Sequence, residues 1–207
     1  MPEQTVEKTK ESWFNKIENM HPYQTLMYLG MFGSGLIFLF LTVAFLSSDI
    51  QNLGRRGTAV PVAFIASSVV ILFSGYLVSQ LLVHYKQEEI ELLKDKLFYT
   101  FMLGMIFTLL QFVGWKELTA MGIDFTGLPS GSFLYVLTGI HIFHLIGAMV
   151  FALLLYAEYH KKNKDQITQL ILITNPFEKM RIRLFVVYWY FMDLIWLILF
   201  SIIAFAF

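Results

Sequence analysis

The sequence contains no cysteine. That excludes disulfides, thiolate metal sites, iron–sulfur clusters and covalent haem attachment on this chain. Charge is scarce too: Asp, Glu, Lys and Arg make up 14% of the 207 residues, fifteen of each sign, for a formal net charge of zero. An overall basic field that would draw in nucleic acid is therefore missing, and no nucleic-acid partner is expected. The chain also has no phosphate-cradling glycine loop, no dinucleotide fingerprint and no nucleophile–base motif. Its start, Met1-Pro2-Glu3-Gln4, is polar and partly acidic. It leads into an apolar run too long for a signal-peptide core, so the N-terminus is expected to be retained.

What the chain has in abundance is apolar length. It is 57% hydrophobic and 17% aromatic, with a mean hydropathy of +0.64. That is too apolar for a soluble globular domain, and the few charges fall between long uncharged runs, as in a polytopic membrane protein. The expected fold is all-α, a bundle of five transmembrane helices. The spans are placed at about residues 24–46, 59–83, 97–115, 132–158 and 184–206, behind a cytoplasmic tail of residues 1–23. In the tail, Trp13, Phe14, Ile17 and Met20 recur at helical spacing, which suits either a short interfacial helix or a solvated tail.

Small residues mark faces for close helix contact: Gly30, Gly33, Ser34 and Gly35 in the first span, and Ser67, Ser68, Ser74 and Gly75 in the second. Pro61 is expected in the first turn of the second span, where a missing N–H costs little. The charged stretch 84–96 carries Ile90 and Leu93 at helical spacing, which extends the second helix out of the membrane. Gly122, Gly127 and Pro129 form a turn before the fourth span, and Asn175-Pro176 breaks the basic linker before the fifth.

Lysine and arginine counts set the orientation. The tail (Lys8, Lys10, Lys16), the second loop (Lys86, Lys94, Lys96) and the fourth loop (Lys161, Lys162, Lys164, Lys179, Arg181, Arg183) hold twelve cations. Arg55, Arg56 and Lys116 are the three on the other side. The positive-inside rule places the N-terminus in the cytoplasm and the C-terminus outside.

The functional candidates are the polar residues inside these spans. His141 and His144 lie three residues apart on one face of the fourth helix. They could offer two metal ligands, but no thiol or assured carboxylate completes a shell, and a bis-histidine haem needs ligands from opposite sides of its ring. Hydrogen bonding of both imidazoles across helices or to lipid headgroups is the favoured reading. Asp193 falls near the centre of the fifth span, where a carboxylate costs roughly 2.5–3.5 kcal/mol unless paired or protonated. It shares a stripe with Trp189, Trp196 and Phe200. Proton carriage is one role for it. The favoured one is a buried hydrogen bond, through Tyr190 or a histidine, holding helix five against helix four or three. Gln111 has a packing reading, and Glu158 is expected to meet headgroups or Lys161 and Lys162.

With these residues laid out, the chain resembles subunit III of the haem–copper terminal oxidases, the cytochrome c and quinol oxidase family. Leu103–Gln111 (LGMIFTLLQ) is similar to the family's LG–F–Q helix. The run GSFLYVLTGIHIFH is similar to its G-S-x-F-x-x-x-T-G-x-H-x-x-H signature through Gly131, Phe133, Thr138, Gly139, His141 and His144. The ending YWYFMDLIWLILF is similar to Y-W-H-F-x-D-x-x-W through Tyr188, Trp189, Phe191, Asp193 and Trp196. The likeness runs over all five spans and corresponds to the five-helix bacterial form, without the first two helices of the seven-helix form.

The resemblance implies an accessory subunit of a terminal oxidase that reduces oxygen and pumps protons in the bacterial cytoplasmic membrane. It implies haem and copper in partner subunits and none on this chain, which would carry no catalytic centre. Direct contact with subunit I, proximity to subunit II, membership of a larger respiratory assembly and bound phospholipid are further implications. The first two spans would both belong to the bundle, leaving the family's lipid cleft absent or closed by a partner. Three positions depart from the pattern. Gly35 follows Ser34 where the family has a carbodiimide-reactive glutamate, Gly114-Trp115 replaces a glutamate–tyrosine, and Tyr190 replaces a histidine. These losses of polar groups favour a structural role over proton conduction. A quinol oxidase subunit or a nitric oxide reductase-associated homologue is the alternative within the family. An independent transporter using His141, His144 and Asp193 is the alternative outside it, although no internal repeat supports it.

Overall fold

The computed structural model describes residues 20–48, 50, 59–162, 169–170, 172 and 174–207. The proposed interfacial helix at Trp13, Phe14 and Ile17, and nearly all of the first loop, lie outside them. Among the described residues there are five long α-helices: α1 Pro22–Ser47, α2 Val62–Lys86, α3 Ile90–Ala120, α4 Pro129–Lys162 and α5 Pro176–Ala206. All five are long and apolar enough to cross a membrane. At about 1.5 Å of rise per residue, α4 is about 50 Å long, well beyond a hydrocarbon core of about 30 Å.

Each helix starts and stops for a local reason. At the head of α1, the His21 side chain accepts from the Tyr23 N–H at 3.3 Å and Pro22 takes the first helical position. Pro61 stands just before α2 rather than inside its first turn, and it has no side chain to cap the free N–H groups. Glu117, near the end of α3, does this from outside by accepting from the Ala63 N–H at 3.3 Å. α3 ends in a Schellman turn: Ile123 N–H donates to Leu118 O and Gly122 N–H to Thr119 O, with Gly122 at φ 76°. Only a residue without a Cβ adopts that φ freely. At the head of α5, Asn175 caps through its Oδ1, which accepts from the Phe177 N–H at 3.0 Å, and Pro176 follows it.

The charged stretch 84–96 divides differently from the sequence reading. α2 stops at Lys86, Glu88 turns the chain at φ 63°, and residues 90–96 open α3. Ile90, Leu93 and Leu97 are buried on one face of α3, so their helical spacing belongs to the following helix. The break before α5 falls at Asn175-Pro176 as expected, and the helix then runs for two turns before Leu184, where the span was placed.

α2, α3, α4 and α5 pack in a circuit, each against the next and α5 back against α2, while α1 leans on α4 and α5. Trp196 of α5 lies at the centre. Its ring meets Phe107 of α3 at 4.9 Å edge-on, Phe64 of α2 at 5.9 Å and His141 of α4 at 5.4 Å. Two glycines of α3 allow this closeness. A Cβ at Gly114 would collide with the Phe64 ring, and one at Gly104 would sit 2.9 Å from the Met149 Cγ and 3.3 Å from the Trp189 ring. The small-residue face expected on α1 behaves otherwise. Gly30 and Gly33 have no neighbour within 4 Å of a Cβ position, and Gly35 meets only the Phe191 ring at 3.8 Å. Only Ser34 of that face makes an interhelix hydrogen bond.

Candidate functional site

The polar residues of the spans gather where α2, α3, α4 and α5 meet. α2 supplies three buried serines. Each donates its hydroxyl proton to its own helix: Ser67 to Phe64 O at 2.9 Å, Ser68 to Phe64 O at 2.8 Å and Ser74 to Ile71 O at 2.7 Å. With its proton committed, each oxygen remains an acceptor for a neighbouring helix. Gln111 Nε2 of α3 donates to Ser67 Oγ at 2.8 Å, Trp196 Nε1 of α5 to Ser68 Oγ at 2.9 Å, and Trp189 Nε1 to Ser74 Oγ at 3.0 Å. The outcome is a ladder of neutral hydrogen bonds that fixes the rotation of α3 and α5 against α2. In a medium without water, this is the kind of polar contact that fits. Between α3 and α4, Trp115 Nε1 donates to Thr138 Oγ1 at 2.9 Å, and the Trp115 ring passes 3.8 Å from a Cβ position at Gly139. The tryptophan that departs from the family pattern thus retains an interhelix donor.

The two histidines differ. His144 Nδ1 donates to Ile140 O at 2.9 Å, one turn back on α4, and its Nε2 pairs with Ser34 Oγ of α1 at 3.0 Å. Facing a carbonyl, Nδ1 carries hydrogen, and in a neutral imidazole Nε2 then accepts from the serine. Tyr188 OH adds a bond from α5 to His144 O at 3.2 Å. His141 is fully buried, and neither of its ring nitrogens has a hydrogen-bond partner. Its neighbours are aromatic: Phe107 edge-on at 5.6 Å, Trp196 at 5.4 Å and Phe38 at 6.3 Å. The expectation that both imidazoles hydrogen-bond therefore holds for His144 and fails for His141, because aromatic rings from three helices close over it before a donor or acceptor comes within reach.

Asp193 also departs from its expected place. It packs against α2 rather than α3 or α4, with Oδ2 over Gly75, where a Cβ would lie 2.5 Å away. Neither Tyr190 nor a histidine bonds it, and its Oδ1 is buried without a partner. Gln111 Oε1 is likewise buried and unpartnered.

At the basic end of α4 and α5, Glu158 meets Lys162 as expected, but within a larger network. Lys162 Nζ reaches Glu158 at 2.5 Å and Glu178 at 3.2 Å, while Arg181 Nη1 reaches Glu158 at 2.6 Å and Glu178 at 3.1 Å. Tyr159 OH donates to Glu178 Oε2 at 3.4 Å. Two carboxylates and two cations alternate in a closed ring across the α4–α5 junction. The sequence gives little sign that Glu178 is buried. Its i, i+3 spacing to Arg181 was the one available signal.

Among the described residues, no three histidine, aspartate or glutamate side chains are grouped as a metal site would need. No family model matches the sequence. A stretch of 108 residues is 29% identical to probable cytochrome c oxidase subunit 3 of Mycobacterium bovis and of two strains of Mycobacterium tuberculosis, over 51% of this chain and 47% of each relative. The similarity supports the subunit III family. The chain spans about half the length of the curated relatives it matches. With its five apolar helices, the relationship marks a multi-pass membrane protein. Of the residues that carry the resemblance to subunit III, Gln111, Thr138, His141, His144, Tyr188, Trp189 and Trp196 all make contacts between helices. Asp193 packs on Gly75 at the α2–α5 seam and, like His141, makes no hydrogen bond there.

Proposed function

We propose that this chain is an accessory subunit III of a bacterial cytochrome c oxidase, packed against subunit I and without a redox centre of its own. In this reading it is embedded in the cytoplasmic membrane with its N-terminus inside. It supports aerobic electron transport and proton pumping carried out by partner subunits that hold haem and copper. Phospholipid fills the faces that subunit I leaves uncovered.

The observation that carries this reading is the use to which the two motif-bearing helices are put. On α4 and α5, Thr138, His144, Tyr188, Trp189 and Trp196 spend their polar atoms on neighbouring helices. His141 is sealed by aromatic rings. Groups committed in this way stabilise a scaffold and are unavailable to a substrate path. The likeness to the mycobacterial subunits 3 supports the same assignment.

The test is purification of the tagged chain in a mild detergent, with a reduced-minus-oxidised spectrum and identification of the proteins that accompany it. Haem bands together with a subunit I and a copper-bearing subunit II are expected. A colourless preparation of the chain alone, able to move ions or solutes in liposomes, would overturn the assignment.

A further inference from the structure

Asp193 is an intramembrane carboxyl whose needs the described residues do not meet. It lies nine residues into the apolar part of α5, about 14 Å from Leu184 and so near mid-membrane. It is 7% exposed, its Oδ1 has no partner, and its Oδ2 rests on the backbone at Gly75. Whether ionised or protonated, a carboxyl at this depth needs a hydrogen-bonding group that lipid tails cannot supply. The small exposed part of Asp193 opens into a groove of about 380 Å³ between α2 and α5, bordered by Leu72, Tyr76, Ser79, Tyr190 and Leu194. Ser79 has already given its hydroxyl proton to Tyr76 O at 2.6 Å. Exposed apolar side chains on a membrane helix need no explanation, but an unpartnered carboxyl at the floor of a groove among them does.

We propose that the α2–α5 groove seats a transmembrane helix of another protein, which presents a neutral hydrogen-bond donor (hydroxyl, amide or indole) to Asp193. Turning the carboxyl about χ2, a torsion with broad wells, brings either oxygen to the groove. A helix is the fitting occupant because it satisfies its own backbone and needs to bring only one polar side chain into the hydrocarbon. A second copy of this chain, seated across a two-fold axis, would oppose carboxyl to carboxyl and is the poorer match. Gly75 is the enabling residue. Its missing side chain lets Asp193 lie across the seam, where a neighbour can reach it.

The proposal rests on the multi-subunit reading above only in requiring a partner in the same membrane. The absence of cysteine makes the test clean, since Leu72→Cys or Leu194→Cys becomes the sole thiol of the chain. Leu109→Cys on the exposed face of α3 serves as control. In native membranes, a thiol-directed photo-crosslinker on the groove cysteines should join this chain to one identified integral membrane protein, at a residue within a turn of a polar donor. Leu109→Cys should not form that product. Adding Asp193→Leu should lower its yield roughly three- to fifteen-fold at equal chain levels, and Asp193→Asn should retain it, because an amide still hydrogen-bonds.

Crosslinking only to a second copy, groove thiols as open to a membrane-soluble maleimide as the α3 control, or a yield indifferent to Asp193→Leu would each overturn the proposal. A partner without haem would leave the groove assignment standing while the oxidase reading fell. Haem-bearing subunits that co-purify while the groove thiols remain free would do the reverse.

Discussion

The ladder at mid-membrane and the ionic ring at the basic end solve one problem, joining helices through polar atoms, by opposite means. At mid-membrane each contact is a single neutral bond, such as Trp196 to Ser68 or Trp189 to Ser74, and each acceptor oxygen has its own proton tied back to its own helix. At the basic end, Glu158, Glu178, Lys162 and Arg181 share partners, and every member touches two of opposite charge. The difference follows from the surroundings. Headgroups and water screen the ring and hydrate its exposed edge, whereas a charge at mid-membrane has no such relief. Neutral bonds fail one at a time. A ring of charges fails when one member leaves its partners uncompensated.

The largest effect is therefore expected at the ring. Glu178→Leu should cost about 3 kcal/mol of unfolding free energy in mixed micelles, because it removes the one buried member and leaves two partly buried cations to share Glu158. A loss below about 0.5 kcal/mol would mean that Glu158 alone satisfies both cations. Next comes the tight packing that brings the ladder together. Gly114→Ala should destabilise by about 2 kcal/mol through its clash with Phe64, and Phe64→Leu in the same chain should recover part of that. Failure of the pair to couple in a double-mutant cycle would place the strain elsewhere.

A single rung should matter less. Ser74→Ala removes only the acceptor of the Trp189 indole N–H, for about 1 kcal/mol, and should cost little more in a Trp189→Phe background, which has already lost that donor along with part of the indole. The smallest change sharpens the contrast between the histidines. His141→Leu should leave stability unchanged or raise it by up to about 1 kcal/mol, since both ring nitrogens are unsatisfied, whereas Ser34→Ala should lower it slightly by freeing His144 Nε2. Loss of more than about 2 kcal/mol in His141→Leu would reveal a buried water or other partner on that ring.

Much of the architecture is legible in the sequence. The apolar runs matched helices, and Ser67, Ser68, Ser74 and Gly75 do face their neighbours. The same kind of motif misled in α1, where Gly30 and Gly33 face open space. A small residue permits a close approach but does not supply a neighbour. Glu117 as a cap for α2 left no local signal, because donor and acceptor are 54 residues apart.

Run length, charge placement and the solvent each segment prefers are properties of the chain taken one stretch at a time. They determined five membrane-length helices, the polar residues set among them and a basic side. Which partner each polar residue meets depends on the rotation and order of helices about one another, and only the tertiary structure decided that. It sealed His141 among three aromatic rings while bonding His144, one turn further on, at both nitrogens. It also turned Asp193 toward Gly75 of α2 instead of α3 or α4. A helix turns its residues through all directions within one turn, so a small change of rotation exchanges one neighbour for another while the sequence pattern stays the same.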